Sequence, residues 1–288
     1  YQQCMARLSP LERRGLMAEY VNGARINWAH ISIACLIRAG IVDRVLTVNF
    51  DPLIIRACAL LNEFPGIYDF AASQIFDASH VSDKAVFYLH GQQSGFVQLH
   101  TKEQVELHSK RLAPVFEDAG RQRLWIVVGY SGVNDPVIEN LSKLDSFANG
   151  LYWIGRPSSP PPESVAESLL APQKSGFFVE CEGADEFFLQ LARRTKCFPP
   201  PIFATPFTHL QSVYSTLDHK FPTLAIDHLD DGNANPLQEP TNWIEDAIVQ
   251  YEKKREEVSF VLDRYLAGDF DAIVARYERA PKSIPADA

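Results

Sequence analysis

The sequence has no Cys-x-x-Cys pair, no closely spaced Cys and His residues, and no apolar run near the roughly 20 residues that a membrane-spanning helix needs. The first two absences remove the usual signature of a structural zinc site. The N-terminal residues also lack the pattern of a signal peptide. The five cysteines are scattered, and a chain of 288 residues does not depend on disulfides for its stability, so we expect a reducing cytoplasm.

Positive charge is also scarce. Lys and Arg number 27 against 36 Asp and Glu, which gives a net charge of −9. Because nucleic acids are bound through cationic surfaces that neutralise phosphates, we expect no direct binding of nucleic acid by the chain as a whole. A small basic pocket for one nucleotide is compatible with this charge. Apolar residues make up 46% of the chain, which is enough for a core and excludes a disordered or collagen-like chain.

Short apolar runs alternate with helical patterns over residues 11–194. The runs predict buried strands at residues 44–50, 85–89, 124–128, 151–154 and 177–180. The helical patterns predict helices at residues 11–40, 53–62, 101–115, 137–146, 161–170 and 185–194. Cys35 and Cys58 lie on the apolar sides of two of these helices and are expected in the core. This alternation predicts an α/β fold, with a parallel sheet and helices on both faces.

Three consecutive prolines at residues 199–201 mark a change in the pattern, since proline cannot continue a helix. Beyond them the sequence predicts helices at 207–220 and within 242–278, with a polar loop at 227–241. We therefore predict two parts, a domain at 1–197 and a smaller α-helical extension at 198–288. The extension suits the start of a helical repeat or an assembly domain.

Polar residues and glycines follow three of the predicted strands. These segments are T-V-N-F-D at 47–51, H-G at 90–91 and G-Y-S-G at 129–132. Because the carboxyl ends of parallel strands meet at one edge of a sheet, where ligands bind, we expect the segments to converge. Each also has a purely structural interpretation, with Asn49 and Asp51 as a turn and a helix cap and His90 as a histidine in a turn. Their convergence beside a helix N-terminus that suits phosphate favours a nucleotide site.

Taken in order, these motifs resemble those of one family. T-x-N-F-D at 47–51, H-G at 90–91 and V-V-G-Y-S-G at 127–132, followed by Asp135, resemble the sirtuin-like domains of prokaryotic antiphage defence proteins. Residues 179–186, which include Asp185, resemble the last strand and adenine-side turn of the same domain. The resemblance spans about residues 11–194 and implies a Rossmann-like sheet that binds NAD. It also implies cleavage of the nicotinamide–ribose bond, which depletes NAD during infection.

The resemblance assigns roles to individual residues. Asn49 matches the asparagine that contacts the nicotinamide ribose and helps to place the attacking water, and His90 matches the general base. Asp51 is implied to support the Asn49 loop. A histidine base suits this chemistry because its ordinary pKa lies near neutrality. The implied contacts to NAD come from Thr47, Gly129, Tyr130, Ser131, Asp135 and Asp185.

Two departures from the family pattern are visible. Residues 91–124 contain no cysteine, whereas deacetylating sirtuins carry a zinc ribbon after the catalytic histidine, so we expect NAD hydrolysis without a metal rather than protein deacylation. His100 and His108 lack metal-ligand spacing and are expected at the surface. The family's Gly-Ala-Gly-x-Ser phosphate loop is also missing. The chain begins at Tyr1 without Met, so either that loop lies upstream or the module has lost it.

Three functional hypotheses follow. The first is an NAD+ hydrolase of an antiphage system, and the second is a non-catalytic NAD- or ADP-ribose-sensing or scaffold module of a defence complex. The third, less supported by the motifs, is a purely structural domain that organises partner subunits. The expected partners are NAD+ and, through the C-terminal helices, further copies of the chain or a defence-complex protein, with no membrane.

Overall fold

A computed structural model describes residues 2–72, 76–95, 97–100, 102–132, 136–217, 238–266 and 269–278 of the protein. Its contacts divide the chain into two compact units, Tyr1–Pro200 and Pro201–Ala288, and the two are described in turn. Within the described ranges, no helix is long and apolar enough to span a lipid bilayer.

The first unit alternates strands and helices. Its described strands are β1 (Arg44–Thr47), β2 (Gly66–Asp69), β3 (Ala85–Tyr88), β4 (Trp125–Val128), β5 (Leu151–Gly155) and β6 (Gly176–Glu180). Its described helices are α1 (Gln2–Ala6), α2 (Pro10–Asn22), α3 (Trp28–Arg38), α4 (Leu53–Leu60), α5 (Lys102–Gly120), α6 (Pro136–Lys143), α7 (Glu163–Ser168) and α8 (Ala184–Arg194). The predicted alternation is confirmed.

The strands form two parallel three-stranded sheets, in the orders β1-β3-β2 and β4-β5-β6. β1 pairs with β3 from Arg44 opposite Ala85 to Thr47 opposite Tyr88, and β2 pairs with the other side of β3. β5 lies between β4 and β6 in the second sheet. Parallel sheets flanked by helices confirm the predicted α/β class and are consistent with a Rossmann-like fold.

One apolar core joins the two sheets. It contains Phe87 of β3, Leu112 and Phe116 of α5, and Leu151 and Trp153 of β5, all buried. Every residue of β3 is buried, because this central strand is paired on both edges and covered on both faces. That environment explains why its sequence is a continuous apolar run rather than an alternation of polar and apolar residues.

The single helix predicted over residues 11–40 is wrong in detail, because the structure divides it into α2 and α3. The helix α2 ends at Asn22 and is followed by Gly23, and α3 begins after Asn27. The Oδ1 of Asn27 accepts a hydrogen bond from His30 N (3.1 Å), and Asn27 N donates to His30 Nδ1 (3.2 Å). Asparagine and glycine favour the ends of helices over their interiors, so the boundary is marked in the sequence by Gly23 and Asn27.

Strand β2 has no counterpart among the predicted strands. Its sequence, Gly-Ile-Tyr-Asp, contains no continuous apolar run, and Ile67 is 45% exposed. The ring of Tyr68 stacks on Phe87 of β3 at 5.1 Å between centroids. Pairing with β3, this ring contact and the hydrogen bonds of the Tyr68 hydroxyl with His80 O and Ser82 N hold the strand in place.

Two cysteines lie in the core, as the sequence predicts. Cys35 on α3 and Cys58 on α4 are 2% and 0% exposed, and these two helices pack against each other. Burial disfavours the charged thiolate, which raises the pKa of Cys35 to about 11 and that of Cys58 to about 12. Both therefore act as small apolar residues.

Each sheet has two flanking strands, β1 and β2 in the first and β4 and β6 in the second, and each of these has one edge without a strand partner among the described residues. All four residues of β1 and of β4 are half-buried, in contrast to β3. Arg123, two residues before β4, donates from Nε to Oδ2 of Asp43 (2.8 Å), which immediately precedes β1. The starts of β1 and β4 are therefore within reach of one ion pair.

The second unit is helical, as predicted for the C-terminal part. Its described helices are α9 (Pro201–Ala204), α10 (Pro206–Tyr214), α11 (Gln238–Leu266) and α12 (Phe270–Glu278). Phe207 of α10 makes edge contacts with Trp243 and Tyr251 of α11, at 6.0 Å and 5.6 Å between ring centroids. Most of the predicted polar loop at 227–241 lies outside the described residues, which resume at 238.

Candidate functional site

The pairing of β1 with β3 brings Asn49 and His90 to neighbouring strand ends. Thr47 is paired with Tyr88, and Asn49 and His90 each lie two residues beyond that pair. Leu89 N donates to Thr47 O (2.9 Å), which extends the pairing past the end of β3. The carboxyl ends of parallel strands are where α/β proteins bind ligands, so these two residues have a suitable position for chemistry.

The loop after β1 is held by hydrogen bonds to its backbone. Asn49 N donates to Thr47 Oγ1 (3.1 Å), and Leu53 N at the start of α4 donates to Asp51 Oδ1 (3.0 Å). Tyr88 Oη donates to the carbonyl of Asp51 (3.0 Å). Burial raises the pKa of Tyr88, so its hydroxyl stays protonated and remains a donor. The side chain of Asp51 therefore ties the loop to the first residue of α4, while Asn49 is exposed.

The loop after β3 begins with His90, which is half-buried, and Gly91, which is buried. Gly91 has a φ of +98°, and a Cβ at this position would collide with the carbonyl oxygen of Val97. Only glycine meets both conditions, which gives the H-G motif a local structural reason. Leu99 N donates to His90 O (2.9 Å), so the loop returns to its own start.

His100 lies at the end of this loop, and its predicted place at the surface is wrong. The residue is 3% exposed, its ring lies 5.0 Å from that of Phe50, and its Nε2 is 3.0 Å from Gln98 Oε1. Its backbone N donates to Gln104 Oε1 (3.1 Å). Burial lowers the pKa of His100, and the cationic forms of Arg13 and His90 act in the same direction. The side chain of His108 lies outside the described residues.

The glycine turn after β4 belongs to the second sheet. Gly129 and Gly132 have φ values of +66° and +69°, in the region that favours glycine. Tyr130 packs toward the core, with its ring 6.1 Å from that of Trp153, whereas Ser131 is exposed. The sequence prediction that Asp135 contacts NAD concerns a residue outside the described ranges.

Asp185 links the last βα turn to the start of α3. Its Oδ1 accepts a hydrogen bond from Ala29 N (2.7 Å), in the first turn of that helix. Burial lowers the pKa of the adjacent His30, and the carboxylates of Asp51 and Asp185 oppose this shift. The structure therefore brings Asp185 to the start of α3, which packs against α4, the helix after the β1 loop, and it adds His30, which the sequence analysis did not select. The Asn27-x-x-His30 spacing of a capping box is the sequence signal that marks it.

No group of three or more metal-ligating side chains occurs in the described part of the chain. The chain matches no known family model, and no curated protein is similar to it at a significant level. The site is therefore defined by its own geometry. The exposed amide of Asn49 and the imidazole of His90 lie at adjacent strand ends. The carboxylates of Asp51 and Asp185 accept hydrogen bonds at the starts of α4 and α3.

Proposed function

We propose that the protein is an NAD+ hydrolase that releases nicotinamide and ADP-ribose in the cytoplasm and depletes NAD in antiphage defence. The observation that carries the proposal is the register of β1 and β3, which puts Asn49 and His90 at neighbouring strand ends. The resemblance of the motifs around these residues to sirtuin-like defence domains supports the choice of NAD as substrate.

In the proposed reaction, the bond between ribose C1′ and the nicotinamide nitrogen breaks, and its electron pair leaves with nicotinamide. A water oxygen forms the new bond to C1′, and the proton of that water passes to the imidazole of His90. The Asn49 amide holds the ribose and the water. Because C1′ becomes cation-like as nicotinamide leaves, the demands on the protein are positioning and the acceptance of one proton.

The test is to incubate the protein with NAD+ and to quantify nicotinamide, ADP-ribose and cyclic ADP-ribose by chromatography. We expect Asn49→Ala and His90→Ala each to lower kcat by about 100-fold or more. His80→Ala is the matched control, since that side chain is 83% exposed and precedes the amino end of β3, whereas His90 follows its carboxyl end. Absence of nicotinamide release, or full activity in both variants, refutes the proposal.

A second candidate function is a non-catalytic module that senses NAD or ADP-ribose within a defence complex. The observation in its favour is that the carboxylates of Asp51 and Asp185 both accept hydrogen bonds from backbone N–H groups at helix N-termini, which is a structural role. Calorimetric binding of NAD+ or ADP-ribose without nicotinamide release is the result expected for such a module. In either case we propose that the helical unit Pro201–Ala288 binds further copies of the chain or another defence protein.

A further inference from the structure

The loop from His90 to His100 is closed on itself and tied to the loop after β1. Its ends are joined by the hydrogen bond from Leu99 N to His90 O (2.9 Å). Gln93 N, within the loop, donates to Phe50 O (2.9 Å). The two loops that carry His90 and Asn49 therefore share a direct backbone link.

We propose that His100 is a positioning residue that holds the His90 and Asn49 loops together through Gln98 and Phe50. The catalytic part of this inference rests on the proposed NAD+ hydrolase function. The positioning itself rests on contacts that exist without any ligand.

The hydrogen bonds of Gln98 define the role of His100. The Nε2 of Gln98 donates to the carbonyl oxygens of Gln92 and Gln93, at 3.0 Å each. With the amide nitrogen committed to these acceptors, the Oε1 of Gln98 faces His100 as an acceptor, so the Nε2 of His100 carries the proton. His100 thus orients the Gln98 amide, and that amide holds the backbone of the loop that follows His90.

His100 also contacts Phe50, in the loop after β1. The ring of His100 lies 5.0 Å from the ring of Phe50, at an interplanar angle of 40°. Phe50 is the residue between Asn49 and Asp51, and its carbonyl is the acceptor for Gln93 N. His100 therefore contacts one loop through a hydrogen bond and the other through its ring. A buried, well-packed histidine in this place keeps the two strand ends at a fixed separation.

Two substitutions of similar length separate the hydrogen bond from packing. In His100→Gln the amide nitrogen can still donate to Gln98 Oε1, whereas in His100→Met it cannot. We expect His100→Met to lower kcat per folded molecule by about 10- to 100-fold with a smaller change in KM, because misplacement of reacting groups by about 1 Å has such effects. His100→Gln is expected to stay within about threefold of the original kcat. Equal kcat in the Met variant and the original protein refutes the catalytic part.

Hydrogen exchange tests the positioning without NAD. The Gln93 and Leu99 amides should exchange about 10-fold faster in His100→Met and unchanged in His100→Gln, with the amides of β5 as an internal reference. Unchanged exchange of Gln93 and Leu99 in His100→Met overturns the positioning role. If the protein releases no nicotinamide, the proposed function fails, but this exchange experiment still decides whether His100 holds the loops.

Discussion

At the scale of single residues, Tyr88 connects the buried sheet to the loop that carries Asn49. We expect Tyr88→Phe to lower the free energy of unfolding by about 1 kcal/mol, since the mutation removes the donor to the carbonyl of Asp51. In a unit of this size, that loss lowers the midpoint of thermal unfolding by about 2–4 °C. Tyr152→Phe is the control, because no hydrogen bond of its hydroxyl is found among the described residues. Calorimetry that shows equal midpoints for both variants contradicts the expectation.

The buried thiols predict a loss of stability at alkaline pH. Above the ordinary pKa of 9.0 the unfolded chain releases the proton of Cys58, while the folded chain retains it until about pH 12. The folded state then binds more protons than the unfolded state, so the free energy of unfolding falls as pH rises. We expect Cys58→Ala to make this fall shallower, by up to about 1.4 kcal/mol per pH unit between pH 9 and 11.

Urea unfolding at several pH values measures this effect. Cys4→Ala is the control, since Cys4 is exposed, and it should follow the original protein. If the free energy of unfolding falls equally steeply with pH in the original protein and in Cys58→Ala, the buried thiol does not contribute to the loss of stability.

Residue types and spacing were sufficient to select Asn49, Asp51 and His90, because polar residues that follow apolar strands are visible in the sequence. They were insufficient for His100, because its burial depends on contacts with Gln98 and with the ring of Phe50 that only the folded loop creates. A buried histidine needs a partner for its polar atoms, and the identity of that partner depends on loop geometry. The ties from Tyr88 to Asp51 and from Asp185 to Ala29 depend on tertiary structure in the same way.

At the scale of secondary-structure elements, Asp185 acts as a cap supplied from another part of the chain. We expect Asp185→Ala to destabilise the protein by about 1 kcal/mol, because Ala29 N at the start of α3 loses its acceptor. Asp185→Asn retains an acceptor oxygen and is expected to lose much less. Urea unfolding of both variants measures the difference. Equal stability of the Ala and Asn variants indicates that the cap has no net effect.

Most strands and helices were predictable from the sequence, because buried parallel strands consist of short runs of apolar residues. The exception β2 contains no continuous apolar run, and its position depends on pairing with β3, so its four residues carry little signal of their own. The break between α2 and α3 was missed because the apolar spacing of α3 was extended back over α2, which has no buried residue, although the capping tendency of Gly23 and Asn27 was present in the sequence. The pattern of residues was enough to predict most helices and strands, whereas their first and last residues were visible only from the hydrogen bonds of the structure.

At the scale of the whole molecule, β3 and β5 are paired on both edges, whereas β1 and β4, like β2 and β6, have one edge without a strand partner in the described part of the chain. Hydrogen exchange should therefore be at least about 10-fold faster at β1 and β4 than at β3 and β5, since exchange follows the ease of local opening. Mass spectrometry of peptides that cover each strand is sufficient to measure this. Equal protection of β1 and β3 contradicts the assignment of an open edge to β1.

The open edges also bear on how copies of the protein behave in concentrated solution. An unpaired strand edge is a template onto which another chain can add a strand, and the flanking strands β2 and β6 carry the exposed apolar side chains of Ile67 and Phe177. The repulsion that keeps copies apart comes from the net charge of −9. That repulsion vanishes near the isoelectric point of 5.4, so aggregation is expected to be fastest at mildly acidic pH and slowest in low-salt alkaline buffer.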